Sequence, residues 1–153
     1  VIGVLLRVSE GCVVVAGDTV GEIGRGLLVL LAVEPDDTPA QAERLIERLI
    51  AYRVFPDADD RMNRGLAETG GELLLVPQFT LAADTKKGLR PSFTGAAPPE
   101  LGRRLFEHAV EAARRRMPGK VATGVFGADM QVSLTNDGPV TFWLRISASP
   151  ENG

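Results

Sequence analysis

The sequence predicts an α/β fold of layered mixed β-sheets with two amphipathic helices packed on one side. Short runs rich in Val, Leu and Ile recur along the chain and are separated by turn residues, as is typical of strands. Two longer segments place apolar residues at helical spacing. Since strands predominate and two helices are enough to cover one sheet face, a layered arrangement follows.

Composition indicates one compact domain and a local binding site. A chain of 153 residues with 44% apolar residues can bury a core without disulfides or metal, so we expect a single domain over 1–148 and a frayed tail over 149–153. The formal charge of −3 gives no global positive field, and any RNA contact must be local. With one cysteine and no long apolar run, we expect a cytoplasmic protein that has lost its initiator Met and does not contact membranes.

The first third of the chain is strand-like. Apolar runs at Ile2 to Val8, Cys12 to Ala16 and Leu27 to Val33 are separated by Glu10-Gly11 and by further Gly-containing segments. This spacing predicts hairpins, with a break at Glu10-Gly11.

The first helix is predicted to begin at Thr38-Pro39-Ala40-Gln41, which resembles a capping box with proline in the first turn. Apolar residues then follow at helical spacing: Ala42, Leu45, Ile46, Leu49 and Ile50. A second helix is predicted from about Pro98 to Met117. Its buried face would comprise Leu105, Phe106, Ala109, Val110, Ala113 and Met117.

Between the helices, the polar stretch from Asp57 to Glu68 is predicted to be a loop. The segment from Glu72 to Val76 is predicted to be a buried strand. That strand delivers the tetrapeptide 77–80 to one end of the sheet. After the second helix, strands are predicted at Val121 to Val125, Met130 to Leu134 and Val140 to Ile146. The segment 136–139, Asn-Asp-Gly-Pro, is ordinary turn chemistry, so the last two strands are expected to form a hairpin.

Several chemistries are poorly supported. Metal catalysis needs three or four suitable ligands, but His108 and Cys12 stand alone, and we expect no metal and no cofactor. We interpret His108 as a helix-surface or boundary residue and Cys12 as a small buried one. No phosphate-cradling glycine loop precedes a helix. The remaining candidates are a hydrolase with few side-chain catalysts or a binding module.

Two segments carry the functional signal. Pro77-Gln78-Phe79-Thr80 is followed by the polar, basic loop 84–95, where backbone N–H groups can face an oxyanion and cations can meet phosphates. The alternative is a solvated loop after a buried strand. The second segment contains Gly138-Pro139, an X-Pro bond in a tight turn, where a cis peptide can occur.

These two segments resemble the paired signature of D-aminoacyl-tRNA deacylases, usually Ser-Gln-Phe-Thr and Asn-X-Gly-Pro-Val-Thr. Here they read Pro-Gln-Phe-Thr at 77–80 and Asn-Asp-Gly-Pro-Val-Thr at 136–141. The similarity extends through 7–9, 24–31, 90–99 and 124–130, and so covers nearly the whole chain.

The resemblance implies a homodimer with active sites at the subunit interface and tRNA as partner. Its Gly-cisPro unit would enter the partner's site, hold the substrate's α-amino group and exclude L side chains, while glycine would pass. The 2′-hydroxyl of the terminal ribose would help to activate water, and backbone amides would stabilise the oxyanion. The catalytic residues would then be Gln78, Phe79 and Thr80. The residues for substrate binding and chiral selection would be Gly138, Pro139, Arg7, Met130 and Asn136.

Arg7 would brace the Gly-Pro unit, and Lys86, Lys87 and Arg90 would meet tRNA phosphates. Thr80 lacks a nearby base, so a positioning role is expected for it. Pro77 departs from the family Ser and lacks both a hydroxyl and an N–H. Two alternatives stay open: a Thr-dependent esterase acting on non-RNA esters, and a non-catalytic tRNA-binding, editing-like module.

Overall fold

The computed structural model describes residues 1–148, so the predicted tail over 149–153 lies outside the described residues. The strands of the described part are β1 Ile2–Val15, β2 Asp18–Ile23, β3 Gly26–Ala32, β4 Phe55–Pro56, β5 Met62–Arg64, β6 Glu72–Pro77, β7 Val121–Thr123 and β8 Gln131–Arg145. The helices are α1 Pro39–Ala51, α2 Leu66–Thr69, α3 Pro99–Arg116 and the short 3₁₀ helix Phe79–Ala82.

The main sheet is mixed, as predicted. Its order is β2-β1-β3-β6-β7, and β8 pairs with β1. β3 with β6 and β6 with β7 are parallel, whereas β1 is antiparallel to β2, β3 and β8. Parallel neighbours need long crossovers, and α1 and α3 lie in the segments that supply them.

Both long helices pack on one face of this sheet, which confirms the layered α/β prediction. The predicted apolar stripes of α1 and α3 are buried, and they join Leu27, Val29, Leu73 and Leu75 of the central strands in one core cluster. α1 begins as expected, because the Gln41 Oε1 atom accepts from the Thr38 backbone N–H at 2.7 Å. Complete burial of a Leu side chain contributes about 1.5–3 kcal/mol, so this layer dominates stability.

The opposite face of the sheet curls around a second, smaller core. Val8, Val13, Ile23, Leu28, Leu74 and Val76 form this cluster. β2 approaches β7 so closely that a Cβ at Gly21 would lie 2.5 Å from the Thr123 carbonyl oxygen. Glycine is therefore required at position 21 to let the sheet close on itself.

Three sequence predictions are wrong in detail. β1 continues through Glu10-Gly11 without a break, because Gly11 stays paired with both Ile23 and Leu134. The expected C-terminal hairpin is a single long strand, β8. The stretch predicted as loop contains β5 and the start of α2, where β5 pairs with β4.

Candidate active site

The exit of β6 sets the position of the tetrapeptide 77–80. β6 is buried from Leu73 to Val76, and the Gln78 N–H donates to the Leu31 carbonyl at 2.8 Å, which extends the β3 ladder by one bond. The chain then turns into the 3₁₀ helix. The N–H groups of Phe79 and Thr80 lie in its first turn, where a helix has no internal acceptor for them.

Gln78 and Thr80 are linked through their side chains. The Gln78 Nε2 atom donates a short hydrogen bond to the Thr80 Oγ1 atom. A primary amide is not a base, so within residues 1–148 the Thr80 hydroxyl has no hydrogen-bond partner that would take its proton.

An apolar cleft of about 430 Å³ opens beside this turn. Its walls come from β3, β6, α3 and the segment 126–132. Of the predicted site residues, Gln78, Phe79 and Met130 line it, and Pro77 does too. Thr80 follows directly but is exposed and does not line it. Met130 is held by the Val125 N–H, which donates to its Sδ atom at 3.4 Å.

Pro77 is accommodated by the strand pairing. Along β6 the Gln78 N–H points to β3 and the Leu73 N–H points to Lys120 at the start of β7. Because the direction of the backbone N–H alternates along a strand, an N–H at position 77 would point toward β7. The pairing of β6 with β7 ends before this position, at Leu75 with Thr123. Proline therefore removes no ladder hydrogen bond here.

Gly138 and Pro139 project from the middle of β8 in a bulge formed by residues 137–140. Leu6 pairs with Thr141 and Val8 with Asn136, which leaves Arg7 alone opposite the bulge. The Gly138–Pro139 peptide bond is cis, Gly138 has φ +123°, and both residues are exposed.

Arg7 and Asn136 hold the bulge in place. The Arg7 Nε atom donates to the Asp137 carbonyl at 3.3 Å, and its Nη1 atom donates to the Val54 carbonyl at 2.8 Å. The Asp137 Oδ2 atom lies 3.3 Å from the same Arg7 Nε. The side-chain amide of Asn136 forms two hydrogen bonds here. Its nitrogen donates to the Arg7 carbonyl at 3.0 Å, and its oxygen accepts from the Thr141 hydroxyl at 2.8 Å.

The predicted site residues therefore lie in two separate groups on one chain, one at the cleft and the other at the bulge. Gln131 at the start of β8 pairs with Val14, and Asn136 beside the bulge pairs with Val8, six residues away on β1. At about 3.3 Å per residue, the bulge lies roughly 20 Å along the sheet from the cleft edge at Met130. Arg7, Asn136, Gly138 and Pro139 do not line the cleft of their own chain.

The basic residues occupy the loop 84–92, whose base is closed by a bridge between Asp84 and Ser92. Lys86, Lys87 and Arg90 are exposed on it. None of the three side-chain cations forms a salt bridge within residues 1–148, although the Lys86 backbone N–H donates to the Asp84 Oδ1 atom at 2.9 Å.

The residues interpreted as structural lie elsewhere. The His108 Nε2 atom lies 3.4 Å from the Glu43 Oε2 atom between α3 and α1, as expected for a boundary histidine. Cys12 is half-buried rather than buried as expected, because the adjacent Val13 points into the second core and successive side chains of a strand face opposite sides. Within the described range 1–148, no three His, Cys, Asp or Glu side chains gather as a metal site, and no helix has the length and apolarity to cross a bilayer.

Sequence reasoning missed part of the cleft wall. Phe126 lines the cleft, packs on Phe106 and lies under the Arg103 guanidinium, 5.0 Å from the ring centroid. A Cβ at Gly102 would lie 3.2 Å from the Phe126 ring, so glycine in α3 lets that ring approach the helix. A glycine inside an amphipathic helix was the signal that could have indicated this contact.

Known proteins resemble this chain in sequence and in fold. The sequence model of the D-Tyr-tRNA(Tyr) deacylase family matches residues 4–145. A D-aminoacyl-tRNA deacylase from Pseudomonas fluorescens strain Pf0-1 is 62% identical over 143 residues, which cover 94% of this chain and 98% of the relative. One from Methylococcus capsulatus strain Bath is 62% identical over 144 residues, covering 94% of each chain.

Solved structures share the fold. The c-Myc DNA unwinding element binding protein superposes with a TM-score of 0.91 at 34% identity, covering 96% of this chain and 99% of that one. A probable eukaryotic D-amino acid tRNA deacylase superposes with a TM-score of 0.82 at 20% identity, covering 95% and 98%, and this likeness shows the fold alone. The family match spans both the cleft and the bulge, and the chain therefore belongs to the D-Tyr-tRNA(Tyr) deacylase family and is an enzyme, a hydrolase.

Proposed function

We propose that this chain hydrolyses the ester of D-aminoacyl-tRNA and releases the D-amino acid and tRNA. The observation that carries the proposal is the apolar cleft at the exit of β6, lined by Gln78 and Phe79 of the family tetrapeptide. A mostly apolar cleft with a few polar groups at one end suits an aminoacyl-adenosine, whose ester must lie at the polar end.

The first turn of the 3₁₀ helix supplies the electrostatic part of the reaction. Water attacks the ester carbonyl carbon, negative charge develops on the carbonyl oxygen, and the N–H groups of Phe79 and Thr80 donate to it. The bond between the carbonyl carbon and the ribose oxygen then breaks, and that oxygen takes up the proton that the attacking water has lost. The ribose 2′-hydroxyl assists water activation, since neither Thr80 nor Gln78 is a base.

Chirality is selected by the bulge of a second copy. The bulge lies roughly 20 Å along the sheet from its own cleft, so Gly138 and Pro139 reach a cleft only if another chain delivers them. β8 favours such an assembly because it is a long strand with exposed Val132, Phe142 and Trp143. We therefore propose a homodimer with active sites at the interface.

Within that composite site, Gly138 and Pro139 hold the α-amino group and block an L side chain. A backbone wedge discriminates by sterics alone, so many D-amino acids are accepted. Glycine has no side chain to reject, and glycyl-tRNA(Ala) is therefore expected to be a substrate too. Met130 and Asn136 shape the two halves of the site from the cleft and the bulge respectively.

Lys86, Lys87 and Arg90 are proposed to contact tRNA phosphates. All three are exposed, and their side-chain cations form no salt bridge in the described part of the chain. A protein of net charge −3 has to attract RNA through such a local group. The reaction would take place in the cytoplasm, where aminoacyl-tRNA is used.

The deciding experiment compares hydrolysis of D-Tyr-tRNA and L-Tyr-tRNA by the purified chain. Selective loss of the D-ester is expected, and sparing of both esters would favour a binding module. A D-Tyr-tRNA that ends in 2′-deoxyadenosine should be hydrolysed far more slowly. Full activity on it and on small synthetic esters would favour the Thr-dependent esterase.

The cross-subunit arrangement is tested by mixing two variants whose activity is strongly reduced. Gly138→Ala damages the bulge, and Ala128→Trp fills the cleft that Ala128 lines. Random re-pairing makes half of the dimers mixed, and each mixed dimer regains one intact site, so about a quarter of the native activity should return. No recovery, with mixed dimers demonstrated, would place bulge and cleft of the same chain in one site.

A further inference from the structure

An exposed pair of aromatic rings adjoins the cleft. Phe79 and Phe93 pack with their ring centroids 5.2 Å apart and their planes tilted by 59°. Their exposed fractions are 56% and 46%, so each ring leaves about half of its surface in water. Phe79 lines the cleft, whereas Phe93 lies beyond it, on the side of the basic loop. The pair therefore extends the apolar surface of the cleft outward.

The chain holds Phe93 in this place through its backbone. Asp84 and Ser92 exchange two backbone hydrogen bonds, of 2.7 and 2.9 Å, immediately before Phe93. The Ala96 N–H then donates to the Phe93 carbonyl at 3.1 Å. Phe93 is thus anchored on both sides, although its ring is not buried.

The loop closed by that bridge is positively charged. Between Asp84 and Ser92 it carries Lys86, Lys87 and Arg90, which are exposed and whose side-chain cations form no salt bridge in the described range. Exposed rings beside unpaired cations are the combination with which proteins bind single-stranded nucleic acid, because bases stack on the rings and the cations meet the backbone.

We infer that Phe93, together with the outer face of Phe79, is a stacking platform for the cytidines that precede the terminal adenosine of tRNA. This inference rests on the proposed function and extends it, because the cleft takes only the aminoacyl-adenosine. The 3′ end of tRNA is single-stranded, so its bases are free to stack on protein rings. Phe93 is then a positioning residue that acts on the nucleotides before the ester and not on the reacting atoms.

The test compares two substrates that differ only in these cytidines: D-Tyr esterified to adenosine alone, and D-Tyr esterified to the trinucleotide CCA. For the native protein, kcat/KM should be higher with the trinucleotide. Phe93→Ala should lower kcat/KM for the trinucleotide about tenfold or more, mainly through KM, and change that for the adenosine ester less than about twofold. Phe93→Tyr keeps a stacking ring and should restore the trinucleotide rate.

A matched control lies on the same loop. Leu89 is fully exposed and apolar but has no ring, so Leu89→Ala should leave the preference for the trinucleotide intact. Equal losses on both substrates with Phe93→Ala would overturn the inference and show that Phe93 only supports Phe79. An unchanged trinucleotide rate would overturn it as well. If the native protein hydrolyses neither ester nor D-Tyr-tRNA, the proposed function itself fails.

Discussion

The cleft and the bulge are built in opposite ways. The cleft lies where the buried strand β6 meets α3, and its walls are apolar side chains from several elements. The bulge is exposed on the outer strand β8 and is held chiefly by the polar contacts of Arg7 and Asn136. Packing therefore fixes the region proposed for chemistry, whereas hydrogen bonds fix the region proposed for chiral selection. Substitutions are therefore expected to affect the cleft and the bulge independently.

The largest effect is expected from Gly138→Ala. A Cβ at this position would lie 2.7 Å from the Val140 Cγ2 atom, and φ of +123° is strained for any L side chain. Displacing the bulge at a cost of about 1–3 kcal/mol should lower kcat/KM for D-Tyr-tRNA roughly 10- to 100-fold. Gly119→Ala is the matched control, since Gly119 has φ +73° but open space around it. Similar activity of both variants would contradict a role for the bulge.

Arg7→Lys should loosen the bulge without removing the positive charge. One ammonium cannot reproduce the planar head that joins the Asp137 and Val54 carbonyls. The free energy of unfolding should fall by about 1–2 kcal/mol, and the ratio of D-Tyr-tRNA to L-Tyr-tRNA hydrolysis should fall several-fold. Chemical denaturation and single-turnover rates measure the two effects. An unchanged ratio would mean that Arg7 stabilises the fold only.

Thr80→Ala should keep a substantial part of the activity, within about tenfold of the native rate. The partner of the Thr80 hydroxyl is the Gln78 amide, which is not a base, so loss of the hydroxyl removes a positioning hydrogen bond. The rate of D-Tyr-tRNA hydrolysis is the measurement. A fall to the uncatalysed rate, with an unchanged circular dichroism spectrum, would make Thr80 the nucleophile.

Pro77→Ser should have a small effect on the cleft. Position 77 faces the side of β6 on which pairing with β7 has already ended, so a restored N–H gains no ladder partner there. Hydrolysis should stay within about threefold of the native rate, and stability should fall by up to ~1 kcal/mol as the unfolded chain gains freedom. A large gain in activity would show that the Ser hydroxyl contacts the substrate.

The smallest effect on activity is expected from Glu34→Gln, a control outside both regions. Burial acts to raise the pKa of Glu34, but hydrogen bonds from Arg145 and the terminal ammonium outweigh it, and the pKa lies below its ordinary value of 4.5. The charged form therefore stabilises the fold above pH 4.5, and this contribution is lost as pH falls through the lowered pKa. The melting temperature of the variant should lie below that of the native protein near neutral pH, and the gap should shrink in acid. A constant gap would exclude the ionic contribution.

The elements that sequence predicted well are those with strong local signals. Both long helices and their buried faces follow from apolar spacing, and the structure confirms them. The same local reasoning failed at 136–139, where turn residues predicted a hairpin. There β1 pairs with β8 on both sides of the bulge, so long-range pairing overrides the turn preference. The break predicted at Gly11 was wrong for the same reason, because the strands that pair with Gly11 are distant in sequence.

The site was predictable only in part for a related reason. The tetrapeptide 77–80 and the Gly-Pro unit were identified by resemblance, and their roles stay a prediction. The cleft wall at Phe126 and Gly102, and the Arg7 contact with Val54, join segments far apart in the chain. No spacing rule reports such contacts, since they arise from how the elements pack.

Placing a specificity element inside a strand restricts its length in a way that a loop does not. At the end of β8 the exposed and buried side chains alternate, with Trp143 exposed and Leu144 buried against the core. Inserting or deleting one residue among 137–140 would either resize the bulge and displace Gly138 and Pro139 from Arg7, or shift the rest of β8 by one position and exchange its two faces. Variation in this family is therefore expected to change the identity of bulge residues such as Asp137 and to leave their number fixed.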